Sequence, residues 1–172
     1  MCGIAGLIHR GKSSDIGSEL TAMLQSLKHR GPDSTGFALY GNPREGEYIL
    51  RFKVAEQEDM RKGFKIHDQV KERRAEVDRR LGELGARKVQ DDDATEYAYR
   101  YLISYDGDMK KLADYVEDVE GAEILSIGNA LELVKDLGDA TTVSGQYDLG
   151  TFQGTHAIGH TRMATESDVD IR

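Results

Sequence analysis

The sequence predicts an α+β chain in which a strand-and-helix core is interrupted by an acidic, helix-rich middle segment. Three observations carry that expectation. A short apolar run opens the chain at residues 2–8 and is followed by apolar residues at helical spacing. Two stretches with strand-like patterning, 34–40 and 47–54, come next. The formal net charge of −8 is unevenly spread: residues 55–150 hold 23 of the 31 acidic and 14 of the 23 basic side chains, leaving the flanks slightly basic. At 172 residues the chain is long enough to bury a real core, as one domain or one domain with an insertion.

Residues 2–8, with two glycines, predict a buried strand. Ser13, Ser14 and Asp15 offer N-cap oxygens to a helix whose Ile16, Leu20, Met23, Leu24 and Leu27 share one face. Residues 34–40 and 47–54 predict two strands joined as a hairpin by Gly41-Asn42-Pro43, with Tyr48, Leu50 and Phe52 alternating along the second. From 56 to 84 the charge is dense and the apolar positions sparse (Phe64, Ile66, Val70, Val77, Leu81, Leu84), which predicts a long solvated helix. Asp91-Asp92-Asp93 reads as a loop ending in a helix start. Three adjacent carboxylates suit a cation, but no further ligands stand at recognisable spacing, so no metal is expected. Segments 97–105, 109–119, 122–127 and 130–137 predict a small α/β unit, and Tyr97, Tyr99, Tyr101 and Tyr105 share one strand parity, as a packed face does. The resulting division is a core of residues 1–54 and 151–172 around an inserted subdomain, 55–150.

Composition excludes several function classes. The acidic balance argues against a nucleic-acid surface, which needs clustered Lys and Arg. A single cysteine rules out an internal disulfide framework and fits a reducing compartment. No signal-like apolar run opens the chain and no stretch approaches the ~20 apolar residues of a membrane span, so a soluble cytoplasmic protein is expected.

That one cysteine is Cys2, heading Cys2-Gly3-Ile4-Ala5-Gly6 directly after Met1. If Met1 is removed, residue 2 carries both a thiol and a free α-amine. The thiolate is the reactive form of cysteine, and an α-amine titrating near ~7.7–8.0 is a suitable base for its proton. Position alone equally fits an ordinary thiol buried at the start of a core strand, with Met1 retained.

Two further islands, His29-Arg30-Gly31-Pro32-Asp33-Ser34 and Gly159-His160-Thr161-Arg162-Met163-Ala164-Thr165, complete a set of three in order along the chain. With the Cys2-Gly3-Ile4 start, this set resembles the class II glutamine amidotransferases, whose glutaminase domain is an N-terminal-nucleophile hydrolase. The resemblance implies an αββα sandwich of two mainly antiparallel sheets between helical layers, incomplete at its C-terminal end in this chain. It also implies hydrolysis of L-glutamine to glutamate and ammonia through a Cys2 thioester, with no cofactor in this chain.

The matching positions make Arg162 the clamp for the glutamine α-carboxylate, a task suited to a guanidinium fork. Thr165 stands beside the substrate and Arg30 borders the nucleophile's pocket. Arg30 also reads as part of a plain helix-to-strand turn in which it pairs with Asp33. Met163 occupies a place where many relatives have an aromatic residue. His29, His156 and His160 read as structural, His156 and His160 being four apart on a strand and so unsuited to a helical metal pair.

Two departures stand out: the long middle insertion, expected to serve as a lid, docking surface or subunit contact, and the absence of any Asn-Gly dipeptide. In the family that pair supplies the oxyanion hole, and a later Asp binds the α-amine. Either the chain is a fragment or those groups come from another chain, and open strand edges would favour association. The spelling of the third island is closest to glutaminase subunits of glutamate-synthase-like systems, N-methylglutamate synthase included. An ammonia-accepting synthase subunit carrying flavin and iron–sulfur centres is then the expected partner. A catalytically inactive glutamine-binding or scaffold subunit, and amidotransferases of the glucosamine-phosphate, phosphoribosylamine or asparagine synthetase type, remain as alternatives.

Overall fold

The computed structural model describes residues 2–163. The chain divides into two compact units, residues 1–43 with 130–172, and residues 44–129.

The first unit contains β1 (Gly3–Ile8), α1 (Ile16–Ser26), a 3₁₀ turn (Lys28–Arg30), β2 (Ser34–Tyr40), and, after the second unit, β7 (Leu131–Leu137), α4 (Ala140–Gln146), a second 3₁₀ turn (Leu149–Thr151) and β8 (His156–Arg162). Its sheet runs β1-β8-β2-β7 with every neighbouring pair antiparallel. Side chains alternate between the two faces of such a sheet. Phe37, Leu39, Val134 and Ala157 fall on the face that α1 covers with Ile16, Leu20 and Leu24, all buried. Each large side chain so buried contributes about 1.5–3 kcal/mol. Gly159 permits the close approach of α1, since a methyl group there would lie 2.6 Å from Leu24 Cδ1. Thr21 Oγ1 donates to Ser144 Oγ at 2.9 Å, tying α1 to α4.

The opposite face carries Ile4 and Ile8 of β1, 71% and 77% exposed, and Ile158 of β8, 51% exposed. The expected buried strand is thus an edge strand, half of whose apolar residues face outward. The α1 boundary falls where expected, but Asp15 makes no side-chain cap; Ser14 Oγ instead donates to Glu19, which also holds His9.

The second unit comprises β3 (Glu47–Lys53), a 3₁₀ turn (Asp59–Arg61), α2 (Lys65–Glu83), β4 (Arg87–Asp93), β5 (Ala98–Ser104), α3 (Met109–Glu117) and β6 (Glu123–Gly128). Its antiparallel sheet has the order β4-β5-β3-β6. Two split β-α-β crossovers of this kind make the arrangement of ferredoxin-like domains. The helix expected over 56–84 is shorter: α2 begins only at Lys65, after the 3₁₀ turn, with Val70, Val77 and Leu81 buried. The tyrosine stripe is a packed face: Tyr97, Tyr99, Tyr101 and Tyr105 are all buried, Tyr101 meets Phe52 edge-on at 5.0 Å, and Arg74 lies over the Tyr99 ring at 4.1 Å. Burial pushes the Tyr101 phenol up to about 12.

Three expectations are corrected. The 34–40 and 47–54 strands do not form a hairpin, because β2 pairs with β7 and β8 while β3 pairs with β5 and β6. The unit boundaries therefore fall at 43/44 and 129/130 rather than at 54/55 and 150/151. Accordingly β7, assigned in sequence to the middle segment, completes the first sheet. The Asp91–Asp93 run is the end of β4, not a loop: Asp91 and Asp93 bind Arg74, Asp91 also binds Lys88, and Asp92 binds Arg100. Cations from α2, β4 and β5 neutralise these carboxylates and let them stand in a strand.

Candidate active site

The three motif islands meet at one end of the first sheet. Gly3 is the register partner of Thr161, and Thr161 is in turn the partner of Thr35. The start of β1, the end of β8 and the start of β2 are therefore neighbours, in the order β1-β8-β2. Carried one residue outward, the register aligns Cys2 with Arg162, which also faces Ser34. Cys2 is exposed, contrary to its reading as a buried thiol.

The turn between α1 and β2 is packed directly on β8. A methyl group on Gly31 would lie 2.6 Å from the Arg162 carbonyl carbon and 2.7 Å from its amide nitrogen. The Asp33 amide donates to the Arg162 carbonyl at 3.2 Å. Only a residue without a side chain allows the turn to approach this closely, so Gly31 fixes the backbone from which Arg162 projects. Arg30 is exposed at the end of the 3₁₀ turn. That turn is anchored by Lys28, whose ammonium lies 2.7 Å from Asp139, the N-cap of α4. The Asp139 carboxylate also accepts from the Thr142 amide, and Lys28 with these bonds holds its carboxyl well below the usual range.

Arg162 is partly exposed. It shares this end of the sheet with the exposed Arg30, and a guanidinium fork suits a carboxylate. Thr165 and Ala164 lie outside the described residues, and Met163, the last of them, is 36% exposed. His156 stacks on Tyr40 with ring centroids 4.0 Å apart, His160 lies beside Gly36 in the next strand, and His29 is exposed. Among the described residues no group of three His, Cys, Asp or Glu side chains is placed to hold a metal ion, and no helix is long and apolar enough to cross a membrane.

Sequence reading missed the packing role of Gly31, the Lys28–Asp139 anchor and the state of Thr161. The Thr161 hydroxyl is buried with no hydrogen-bond partner among the described residues, and a methyl group on Gly3 would come within 3.0 Å of it. The Gly31 role had a signal in the tight spelling Arg30-Gly31-Pro32; the others depend on residues far apart in sequence.

No family model matches the chain. It is 35% identical over 99% of its length to a protein of Methanothermobacter thermautotrophicus named putative glutamine amidotransferase, covering 54% of that protein. It is 32% identical over 98% of its length to the glutamine amidotransferase-like protein GlxB of Rhizobium meliloti, covering 52% of it. The chain thus spans about half the length of these curated relatives and is similar, across nearly all of its own length, to proteins named as glutamine amidotransferases or as like them.

Proposed function

We propose that this chain is a class II glutaminase unit that hydrolyses L-glutamine to glutamate and ammonia and passes the ammonia to a synthase partner of the glutamate-synthase-like kind. The observation that carries the reading is the meeting of Cys2, Arg162 and the Arg30–Gly31 turn at one end of a sheet, from three islands more than a hundred residues apart at the extremes. The names of the two relatives support glutamine as the substrate.

In this mechanism Met1 is removed and the α-amine of Cys2 takes the thiol proton. The thiolate attacks the side-chain carboxamide carbon, the C–N bond breaks, and the amine returns the proton to the departing ammonia. Water then attacks the thioester, releasing glutamate and restoring the thiol. Arg162 holds both oxygens of the substrate α-carboxylate through two parallel N–H···O bonds from its guanidinium, Arg30 borders the pocket, and Thr165 hydrogen-bonds the substrate. The outward apolar face bearing Ile4, Ile8 and Ile158 suits burial under a second sheet, as an N-terminal-nucleophile sandwich requires.

The test combines mass and labelling. Intact mass should show loss of Met1, a glutamine-mimicking diazoketone should alkylate Cys2 once per chain with loss of dinitrogen, and Cys2→Ser should abolish ammonia release while keeping the fold. Active protein that retains Met1 refutes the amine as base. Glutamine binding by calorimetry without labelling or turnover replaces the enzyme with an inactive glutamine-binding subunit.

A further inference from the structure

The end of the first sheet that carries Cys2 and Arg162 also holds a polar side chain to which the mechanism gives no task. Neighbouring residues of a strand project to opposite faces, and register partners on adjacent antiparallel strands project to the same one. Contacts fix one of the two faces here. Thr161 is buried on the α1 side, where a methyl group on Gly3 would meet both its hydroxyl and Leu27, and its partner Thr35 donates to the Gly138 carbonyl at 2.8 Å. Residues of the other parity share the outer face. Ser34 therefore stands beside Arg162 on one side, as Cys2 does on the other once the β1 register is carried one residue outward. Ser34 is only 6% exposed, yet among the described residues its hydroxyl makes no hydrogen bond. Its partner in β7 is Leu137, which has no polar side-chain atom. Arg162 donates hydrogen bonds but cannot accept one, so the Ser34 proton lacks an acceptor, and a buried hydroxyl left in that state is costly.

We propose that Ser34 is a substrate-binding residue whose hydroxyl donates to the α-carboxylate that Arg162 holds, so that the row Cys2, Arg162, Ser34 spans glutamine from carboxamide to carboxylate. The inference rests on the glutaminase reading and adds a residue to it. A carboxylate offers about four lone-pair sites and a bidentate guanidinium takes two, which leaves a site for the hydroxyl. The lengths agree. Two strand spacings of about 4.8 Å place Ser34 and Cys2 about 10 Å apart. An extended glutamine measures about 5 Å between its carboxylate and carboxamide carbons; with a hydrogen bond of about 2.7 Å at one end and an attack distance of about 3–3.5 Å at the other, it spans about 11 Å. Ser34 draws the carboxylate to the β2 side of Arg162. The carboxamide then falls on the β1 side, over the thiol, which makes Ser34 a determinant of the direction in which the substrate lies as well as of its affinity.

Calorimetric titration in a Cys2→Ser background, where binding is read without turnover, tests the assignment with two ligands. One is L-glutamine; the other is 4-aminobutanamide, which keeps the carboxamide and the amine but lacks the α-carboxylate. Circular dichroism verifies that each variant is folded. Ser34→Ala should weaken glutamine binding by roughly tenfold, the scale of one hydrogen bond to a charged group, and should leave the weaker binding of 4-aminobutanamide unchanged. Ser34→Thr, which keeps the hydroxyl, should bind glutamine more tightly than Ser34→Ala. Glutamine affinity indifferent to Ser34→Ala overturns the proposal, as do equal affinities of the alanine and threonine variants. Equal losses for both ligands make Ser34 a structural residue and overturn it too. Absence of glutamine binding in the protein that retains Ser34 overturns the glutaminase reading itself, and the role of Ser34 with it.

Discussion

Replacing Gly31 by alanine isolates the contact that positions Arg162. The Gly31 φ of 178° is extended backbone open to any residue, so alanine incurs no conformational strain there and the effect is steric. The added methyl would lie 2.6, 2.7 and 2.8 Å from three backbone atoms of Arg162 and Thr161, where ordinary contacts begin at 3.4 Å. None of these atoms can rotate away. The turn or the end of β8 must therefore move by close to an ångström, stretching the bond from the Asp33 amide to the Arg162 carbonyl. Overpacking of this kind costs about 1–3 kcal/mol, and at about 2–4 °C per kcal/mol for a chain of this size the melting temperature should fall by roughly 2–12 °C. A displacement near 1 Å in a substrate-positioning residue is enough to lower kcat/KM for glutamine by about 10²-fold. Thermal unfolding and a coupled glutamate assay measure the two effects. Gly145→Ala is the control: this α4 glycine has open space around it, and alanine there should stabilise by about 0.5–1 kcal/mol with activity unchanged. Unaltered melting and unaltered kcat/KM in Gly31→Ala would refute the packing argument and the placement of Arg162 at the substrate together.

Arg162→Ala should raise KM for glutamine by roughly 10–150-fold, the equivalent of the ~1.5–3 kcal/mol of a hydrogen bond to a charged group, and Arg162→Lys should recover only part; equal KM in all three proteins would make Arg162 structural. Asp139→Asn removes a carboxylate whose pKa is depressed by Lys28 and the Thr142 amide. A depressed folded-state pKa contributes stability that is fully present above the unfolded value of ~3.9 and is lost as pH falls through the folded one. Denaturant unfolding over a pH series should therefore show a constant deficit in the variant above about pH 5 that shrinks below about pH 4; a deficit that grows on acidification would contradict the assignment.

What could be read from the sequence was what is local or periodic. The buried Ile16, Leu20 and Leu24 of the α1 face, Val70, Val77 and Leu81 of the charged helix, and the buried tyrosines all follow from repeats of 3.6 or 2 residues, whereas Met23, read onto the same α1 face, is 39% exposed. What was lost is pairing. Alternation in 34–40 and 47–54 identifies two strands but not their partners, and a Gly-Asn-Pro turn between them invites a hairpin that would keep β3 in the wrong sheet. Asp91-Asp92-Asp93 failed for a related reason: strand propensity counts three carboxylates as unfavourable and knows nothing of Arg74 and Lys88, brought alongside by α2 and β4. The candidate site divides in the same way. Its residues were visible as short motifs, whereas the register that sets Gly3 against Thr161, and the contact of Gly31 with Arg162, exist only once β8 lies between β1 and β2.

The topology also explains how a whole β-α-β-β-α-β unit can interrupt the chain without disturbing that register. The first unit is left after β2 and re-entered before β7, and these two strands are paired, with Tyr40 opposite Leu131 at the point of exit and return. The Gly41 amide donates to the Ala130 carbonyl at 2.9 Å, and beyond it the Arg44 amide donates to Asn129 at 3.0 Å, so entering and leaving chains run side by side. A segment whose ends are already adjacent adds little closure cost, because that cost grows only logarithmically with length. The exit point is the Tyr40 end of β2, whereas Arg162 and Cys2 align with the Ser34 end. Six residue steps at about 3.3 Å separate the two, about 20 Å of sheet. Stacking of Tyr40 on His156 and the bond from the Thr155 amide to the Tyr40 carbonyl hold the exit end through contacts that involve none of the candidate site residues. Insertion at this position therefore leaves the pairing of β1, β8 and β2 at the Ser34 end, where Cys2 and Arg162 align, intact.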